Sequence, residues 1–151
     1  ELNNSEINRF EVRDGDIFFT RTSETPDEVG LSSVILNLDE TYCFSGFILR
    51  GRQLENILYP PLSGIFFRTD YIRKQIIKTC TYTTRALTNG NSLGRINIAV
   101  PSIKEQILIY KHIGSISNKI IKTKKIIKKY KLLKKSLMQE LLTGKVRVSV
   151  N

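Results

Sequence analysis

Between Pro101 and Gly144 the chain holds no proline and a single glycine, Gly114. Such a stretch can form little but one long helix, and both ends carry stop signals. Ser102-Ile103-Lys104-Glu105 is a capping box, in which the Ser102 hydroxyl accepts from the Glu105 N–H while the Glu105 carboxylate reaches back. Pro101 resists any upstream continuation, and Gly144 stands where a left-handed residue ends a helix. About 40 residues at ~1.5 Å each make a rod of about 60 Å. Its stripe runs Ile109, Ile113, Ile116, Ile120, Thr123, Ile127, Tyr130, Lys134, Leu137 and Leu141, apolar but for Thr123 and Lys134, in alternating steps of four and three. That spacing is a heptad seam, widened by Ile126, Leu133 and Met138. A rod this long outruns a domain of about a hundred residues, and each Ile or Leu left in water forfeits ~1.5–3 kcal/mol. The seam therefore calls for a second helix, and its pairing residues are Ile109, Ile113, Ile116, Ile120, Ile127, Tyr130, Leu137 and Leu141.

The formal net charge is +10, and it is not evenly spread. Residues 1–103 hold eleven basic side chains against twelve acids, whereas residues 104–151 hold twelve Lys and one Arg against Glu105 and Glu140. The chain thus divides into a near-neutral domain over 1–101, a cationic helix over 102–143 and a short tail over 144–151. The first part uses Arg for nine of its eleven bases. Arginine's planar fork suits bidentate contact with base edges or phosphates, while lysine is a hydrated point charge. Lys119, Lys122, Lys125, Lys128, Lys129 and Lys135 lie mainly off the seam. They read as a solvated outer face or as an electrostatic surface for nucleic acid or an acidic partner. A membrane-surface helix fits less well, because the stripe is heptad-spaced and lacks Trp and Phe.

With 40% hydrophobic and 25% charged residues, the composition is that of a folded, soluble chain, and its few cysteines fit a reducing cytoplasm. No apolar run approaches a membrane span, and Glu1-Leu2-Asn3-Asn4-Ser5-Glu6 has no signal-peptide pattern. Cys43 and Cys80 are too few for a disulfide framework. A first residue other than Met reads as a fragment beginning inside a domain. In residues 1–101, Asp14-Gly15-Asp16 predicts a turn and Ile17–Thr20 a short buried strand. Arg21–Gly30 and Thr81–Asn91 read as polar loops. Ser33–Leu38, Tyr42–Leu49 and Arg95–Val100 read as strands. Pro60-Pro61 can open a helix, and Asp70–Thr79 predicts another, with Ile72, Ile76 and Ile77 on one side. The mixture points to an α/β (α+β) domain followed by one long coiled-coil-forming helix.

Catalytic groups are scarce. The single histidine, His112, lies within the long helix and reads as a packing or surface residue. There is no Cys/His set with zinc spacing and no Gly-rich phosphate loop. Pro26-Asp27 could open a nuclease motif, but no acid is followed two residues later by Lys. Asp14 and Asp16 read as turn residues. No catalytic residue, metal site or cofactor is expected in this chain.

Several blocks, in order, are similar to those of one family. Gly15-Asp16-Ile17-Phe18-Phe19-Thr20-Arg21-Thr22-Ser23-Glu24, Phe44-Ser45-Gly46-Phe47 and Tyr71-Ile72-Arg73-Lys74-Gln75-Ile76 stand in the first part. Thr83-Thr84-Arg85, Pro101-Ser102-Ile103-Lys104-Glu105-Gln106 and Leu137-Met138-Gln139-Glu140-Leu141-Leu142-Thr143-Gly144-Lys145-Val146-Arg147 follow. Together they resemble the specificity (S) subunits of type I restriction-modification systems, from about Asp14 to Val148. Where that pattern usually has a glycine before Thr83, this chain has Tyr82. Such subunits commonly hold two recognition domains and two spacer helices, and this chain has one of each, with its domain starting late.

The resemblance implies a target-recognition domain that reads one half of a split double-stranded DNA site, and a spacer helix that packs antiparallel on another. It also implies methyltransferase subunits that bind S-adenosylmethionine and restriction subunits that hydrolyse ATP, the chain itself being non-catalytic. A second copy would supply the missing spacer helix, making a homodimer. For DNA contact the expected residues are Arg21, Arg50, Arg52 and Arg85 on guanine edges or phosphates, with Thr22, Ser23, Thr83 and Thr84 donating to phosphates. Thr20-Arg21-Thr22 could instead buttress the domain, since a block shared by readers of different sequences cannot itself carry specificity. The alternative function is an adaptor whose lysine-rich helix docks an acidic protein and which never touches DNA.

Overall fold

The computed structural model describes residues 3–149. The first two residues, and the last two of the expected tail, lie outside them. The chain divides into two units, Glu1–Tyr110 and Lys111–Asn151. The first is a mixed α/β domain, and a single long helix follows it. Its elements in chain order are α1 (Asn4–Phe10), β1 (Ile17–Thr20), β2 (Thr22–Ser23), β3 (Ser32–Val34), β4 (Ile48–Gly51), α2 (Pro60–Phe66), α3 (Asp70–Thr79), β5 (Thr81–Tyr82), β6 (Ala86–Leu87), α4 (Gly90–Leu93) and α5 (Ile103–Leu142).

Two small antiparallel sheets result. One has the order β3-β1-β4, with Phe18 opposite Ser33 on one side and Arg50 on the other. The second has the order β2-β6-β5. A core of Val29, Ile72, Ile76 and Ala86 lies beneath, with Phe66, Phe67, Cys80, Leu93 and Ile96 packed around it. Ile72 and Ile76 come from one face of α3, as their spacing requires. Gly30 sits at φ +64°, and a Cβ there would lie 2.6 Å from Ile76 Cγ2, so no other residue fits this turn. The Ser32 hydroxyl donates to the Gly64 carbonyl at 2.9 Å and ties β3 to α2.

The helices expected at Pro60 and over Asp70–Thr79 are present, as is the strand Ile17–Thr20. The other strands differ from expectation. That expected over Ser33–Leu38 ends at Val34, and Asn37 adopts φ 58° just beyond. Of Tyr42–Leu49 only the last two residues are in a strand, which runs on to Gly51. The segment before it instead follows the exit of α1, with Val12 N–H donating to Tyr42 O and Phe44 N–H to Phe10 O. There the Phe44 ring meets Phe10 at 5.5 Å and Phe18 at 5.6 Å. Both polar loops contain structure, namely β2 in the first and β5, β6 and α4 in the second. α1, opened by a reciprocal Asn3–Glu6 capping box, had no counterpart in the sequence reading.

The strand expected over Arg95–Val100 does not form. A glutamine replaces the neighbouring strand: Gln75 Nε2 donates to the Asn97 carbonyl and Gln75 Oε1 accepts from the Asn97 N–H, both at 3.0 Å. Gln75→Ala should therefore cost about 1–2 kcal/mol. Urea unfolding checks this, and amide exchange at Asn97 should accelerate with it.

α5 begins and ends where its signals stand. Ser102 N–H donates to Glu105 Oε2 at 2.9 Å and Glu105 N–H donates back to Ser102 Oγ at 3.4 Å. The Ser102 hydroxyl also donates to Glu105 Oε2, at 2.7 Å, and this bond with the one from the Ser102 N–H holds the Glu105 carboxyl below the usual glutamate range. At the other end Gly144 lies at φ 72°, its N–H donating to Leu141 O. His112 is exposed on this helix. Among the described residues no helix is long and apolar enough to cross a membrane.

Candidate nucleic-acid interface

The two Arg/Thr segments lie some sixty positions apart in sequence, yet one sheet joins them. β2 pairs with β6, setting Thr22 opposite Leu87 and Ser23 opposite Ala86. β6 turns back on β5 through Thr83, Thr84 and Arg85, with Thr83 N–H donating to Arg85 O. Arg21 sits at the junction of the sheets, its N–H donating to Phe47 O and its carbonyl accepting from Thr88 N–H. One small sheet thus brings Arg21, Thr22, Ser23, Thr83, Thr84 and Arg85 together.

These six differ in freedom. Arg21 is exposed, with Nη1 donating to Gly46 O at 3.1 Å. Ser23 Oγ donates to Glu28 Oε2 at 3.1 Å, and accepts from Thr25 N–H at 3.3 Å. Thr83 and Thr84 are exposed at the hairpin tip. Arg85 is 66% exposed and lies 4.0 Å from the still more exposed Glu24. A pair at that distance in water is worth ~0–1 kcal/mol, so a phosphate can displace it.

Two aromatics beside these residues were not singled out in the sequence. Phe47 is 76% exposed and Tyr82 57%. Sequence alone offers no sign of this, because an exposed ring and a core ring are written with the same letter. Tyr82, noted only as a departure from the glycine usual there, carries its ring outward on β5.

Arg50 and Arg52 belong elsewhere. Arg50 Nη1 donates to Glu11 O at 2.6 Å, with its guanidinium 5.1 Å over the Phe44 ring. Arg52 grips Asp16 with both arms, Nε to Oδ1 and Nη2 to Oδ2, each at 2.7 Å, and Nη2 also donates to Glu11 O. Asp16, read as a turn residue, is 1% exposed and takes the Arg13 N–H as well. Burial alone would push its carboxyl up. The Arg52 fork, the Arg13 N–H and the charges of Arg52 and Arg50 outweigh burial and hold it below the usual aspartate range. Asp16 in turn raises the Arg52 pKa. This cluster braces β4 against the chain at Glu11 and Asp16.

Residues in other blocks also have internal work. In the Tyr71–Ile76 block, buried Arg73 donates Nη2 to Asp27 O at 2.8 Å, tying the loop after β2 to α3. Its burial lowers its pKa. Gln106, the last residue of the block opening α5, is 1% exposed and uses every hydrogen-bonding direction it needs. Oε1 accepts from Tyr59 N–H at 2.7 Å, and Nε2 donates to Ile57 O at 2.9 Å and Pro101 O at 2.8 Å.

On α5 the seam residues Ile109, Ile116, Ile120, Ile127, Tyr130, Leu137 and Leu141 are exposed and Ile113 is half-buried. Among the described residues no three His, Cys, Asp or Glu side chains gather as a metal ion would need. No family model matches the chain. It is similar to the type I restriction enzyme EcoKI specificity subunit of Escherichia coli (strain K12), 27% identical over 116 residues that make up 75% of this chain. Those residues span 25% of that protein's length.

Proposed function

We propose that this chain is a non-catalytic, sequence-specific DNA-targeting subunit of a type I restriction-modification enzyme. It reads one half of a bipartite duplex site and positions methyltransferase and restriction subunits, which carry S-adenosylmethionine and ATP. The observation that carries this reading is the meeting of Arg21–Ser23 with Thr83–Arg85 in one small sheet, beside exposed Phe47 and Tyr82. Similarity to a specificity subunit supports it further. Within the site, Arg85, Thr83 and Thr84 contact phosphates, and Arg21 either joins them or holds Gly46 in place. Arg50 and Arg52 act through the fold. α5 is a spacer that pairs with a second copy along its seam.

The test is duplex binding across a salt series, on sequences selected from a random library. Arg85→Ala is expected to weaken every sequence alike and to reduce the slope of log K against log salt by about one. An unchanged slope would remove Arg85 from the interface. The exposed lysines of α5 favour a second reading, the adaptor for an acidic protein. That reading predicts duplex binding without sequence preference, and no effect of Arg85 beyond one general charge.

A further inference from the structure

The exposed stripe of α5 holds enough pattern to define how a second copy lies on it. This rests on the pairing proposed above, whose antiparallel sense the family resemblance already implies, and adds its register. Every residue from Ser115 to Gln139 is exposed, whereas Ile113 and Gly114 are half-buried and Tyr110 packs on Tyr59. The free stripe therefore starts at Ile116 and runs to Leu141. Two polar residues interrupt it, Thr123 and Lys134, and Glu140 is the only acid from Lys111 onward.

In heptad terms Ile120, Ile127, Lys134 and Leu141 occupy a, and Ile116, Thr123, Tyr130 and Leu137 occupy d. A parallel, in-register pair sets a against a, so Lys134 meets its own copy inside the seam. It also sets Lys119 against Lys124 on the flank. Both contacts join like charges. An antiparallel pair sets a against d, and one register mates like with like. Lys134 then faces Thr123, Ile127 faces Tyr130, Ile120 faces Leu137 and Leu141 faces Ile116, each twice by symmetry. The overlap is the free stripe itself.

The same register sets Glu140 beside Lys119 and Ile126 beside Leu133 along one flank. The opposite flank sets Lys124 near Lys131, an exposed repulsion that salt screens. Sliding by a heptad one way turns Lys134 onto Ile116, Thr123 onto Ile127 and Lys119 onto Leu133. Sliding the other way turns Lys134 onto Tyr130 and leaves Ile116 and Ile120 without mates. We infer that two copies of α5 pair antiparallel about a two-fold axis between Lys128 and Lys129, with Lys134 on Thr123 and Glu140 on Lys119. At ~1.5 Å per residue the two Ile103 residues then lie roughly 75 Å apart along the pair.

The test labels the full chain with nitroxides at Ser115→Cys or Ser136→Cys, in a Cys43→Ser, Cys80→Ala background, and measures distances within the dimer. Separations along the axis of roughly 40 Å for position 115 and 22 Å for position 136 are expected. A one-heptad slide gives roughly 30 and 33 Å, or 51 and 12 Å, and a parallel pair gives two equal short distances. Any of these would overturn the register while leaving the pairing intact. Sedimentation showing a monomer at tens of micromolar would overturn the pairing itself. Charge exchange needs no labels: Lys119→Glu and Glu140→Lys should each raise the dimer Kd roughly tenfold, and together restore it. A double variant as weak as either single one would also overturn the register.

Discussion

Gln106→Ala is expected to lower the stability of the Glu1–Tyr110 unit by about 3–5 kcal/mol. The residue is buried at the start of α5, and its amide meets three backbone groups: the Tyr59 N–H and the carbonyls of Ile57 and Pro101. Alanine leaves all three facing a small space with no replacement partner, and unmade buried hydrogen bonds cost more than made ones contribute. The Tyr59 and Tyr110 rings, 5.7 Å apart, pack beside this point, so tyrosine near-UV dichroism reports its loss during urea unfolding. Gln106→Glu keeps the acceptor for Tyr59 but turns a buried carboxylate oxygen onto the Ile57 and Pro101 carbonyls, so at neutral pH it should cost at least as much as alanine. A loss under 1 kcal/mol for the alanine variant would mean that the segment before α2 is held to the helix by something else.

Asp16→Asn carries the second large expectation, a loss of about 2–4 kcal/mol near neutral pH. Arg52 keeps its charge and half-buried position but loses the carboxylate that both its arms grip. The effect also has a pH signature. The Asp16 pKa is lower folded than unfolded, so its contribution is complete above the unfolded value of about 4. It disappears as pH falls through the lower folded value. The native chain should therefore lose stability on acidification below about pH 4, and Asp16→Asn should lack that component. Parallel pH–stability curves for the two proteins would show that the Arg52–Asp16 pair does not brace β4.

Little of this bracing was legible in sequence, although the residues were in view. Arg50 and Arg52 were grouped with the Arg/Thr loops because a guanidinium beside a loop looks available. Whether it is available depends on Glu11 and Asp16, about forty positions earlier. The block Pro101–Gln106 was recognised, yet Gln106 had no assigned work, because its three partners come from two separate segments. Asn97 shows the same limit from the other side. An alternating run reads as a strand, but its backbone groups are met by Gln75, and no strand pairs with it.

The candidate interface divides in the same way. Arg21, Thr22, Ser23, Thr83, Thr84 and Arg85 could be picked out by residue type. That one sheet brings them together follows only from the β2-β6-β5 pairing. Local chemistry was sufficient for α5: a capping box, a seam of alternating fours and threes and a terminal glycine act within one or two turns, so their outcome is contained in adjacent residues. The same holds for α3 and β1. Which strands meet, which arginines are held inward and which aromatics stay in water was decided by the tertiary structure. Each depends on contacts between segments tens of residues apart, and the strength of a charge or ring contact depends on the burial those contacts create.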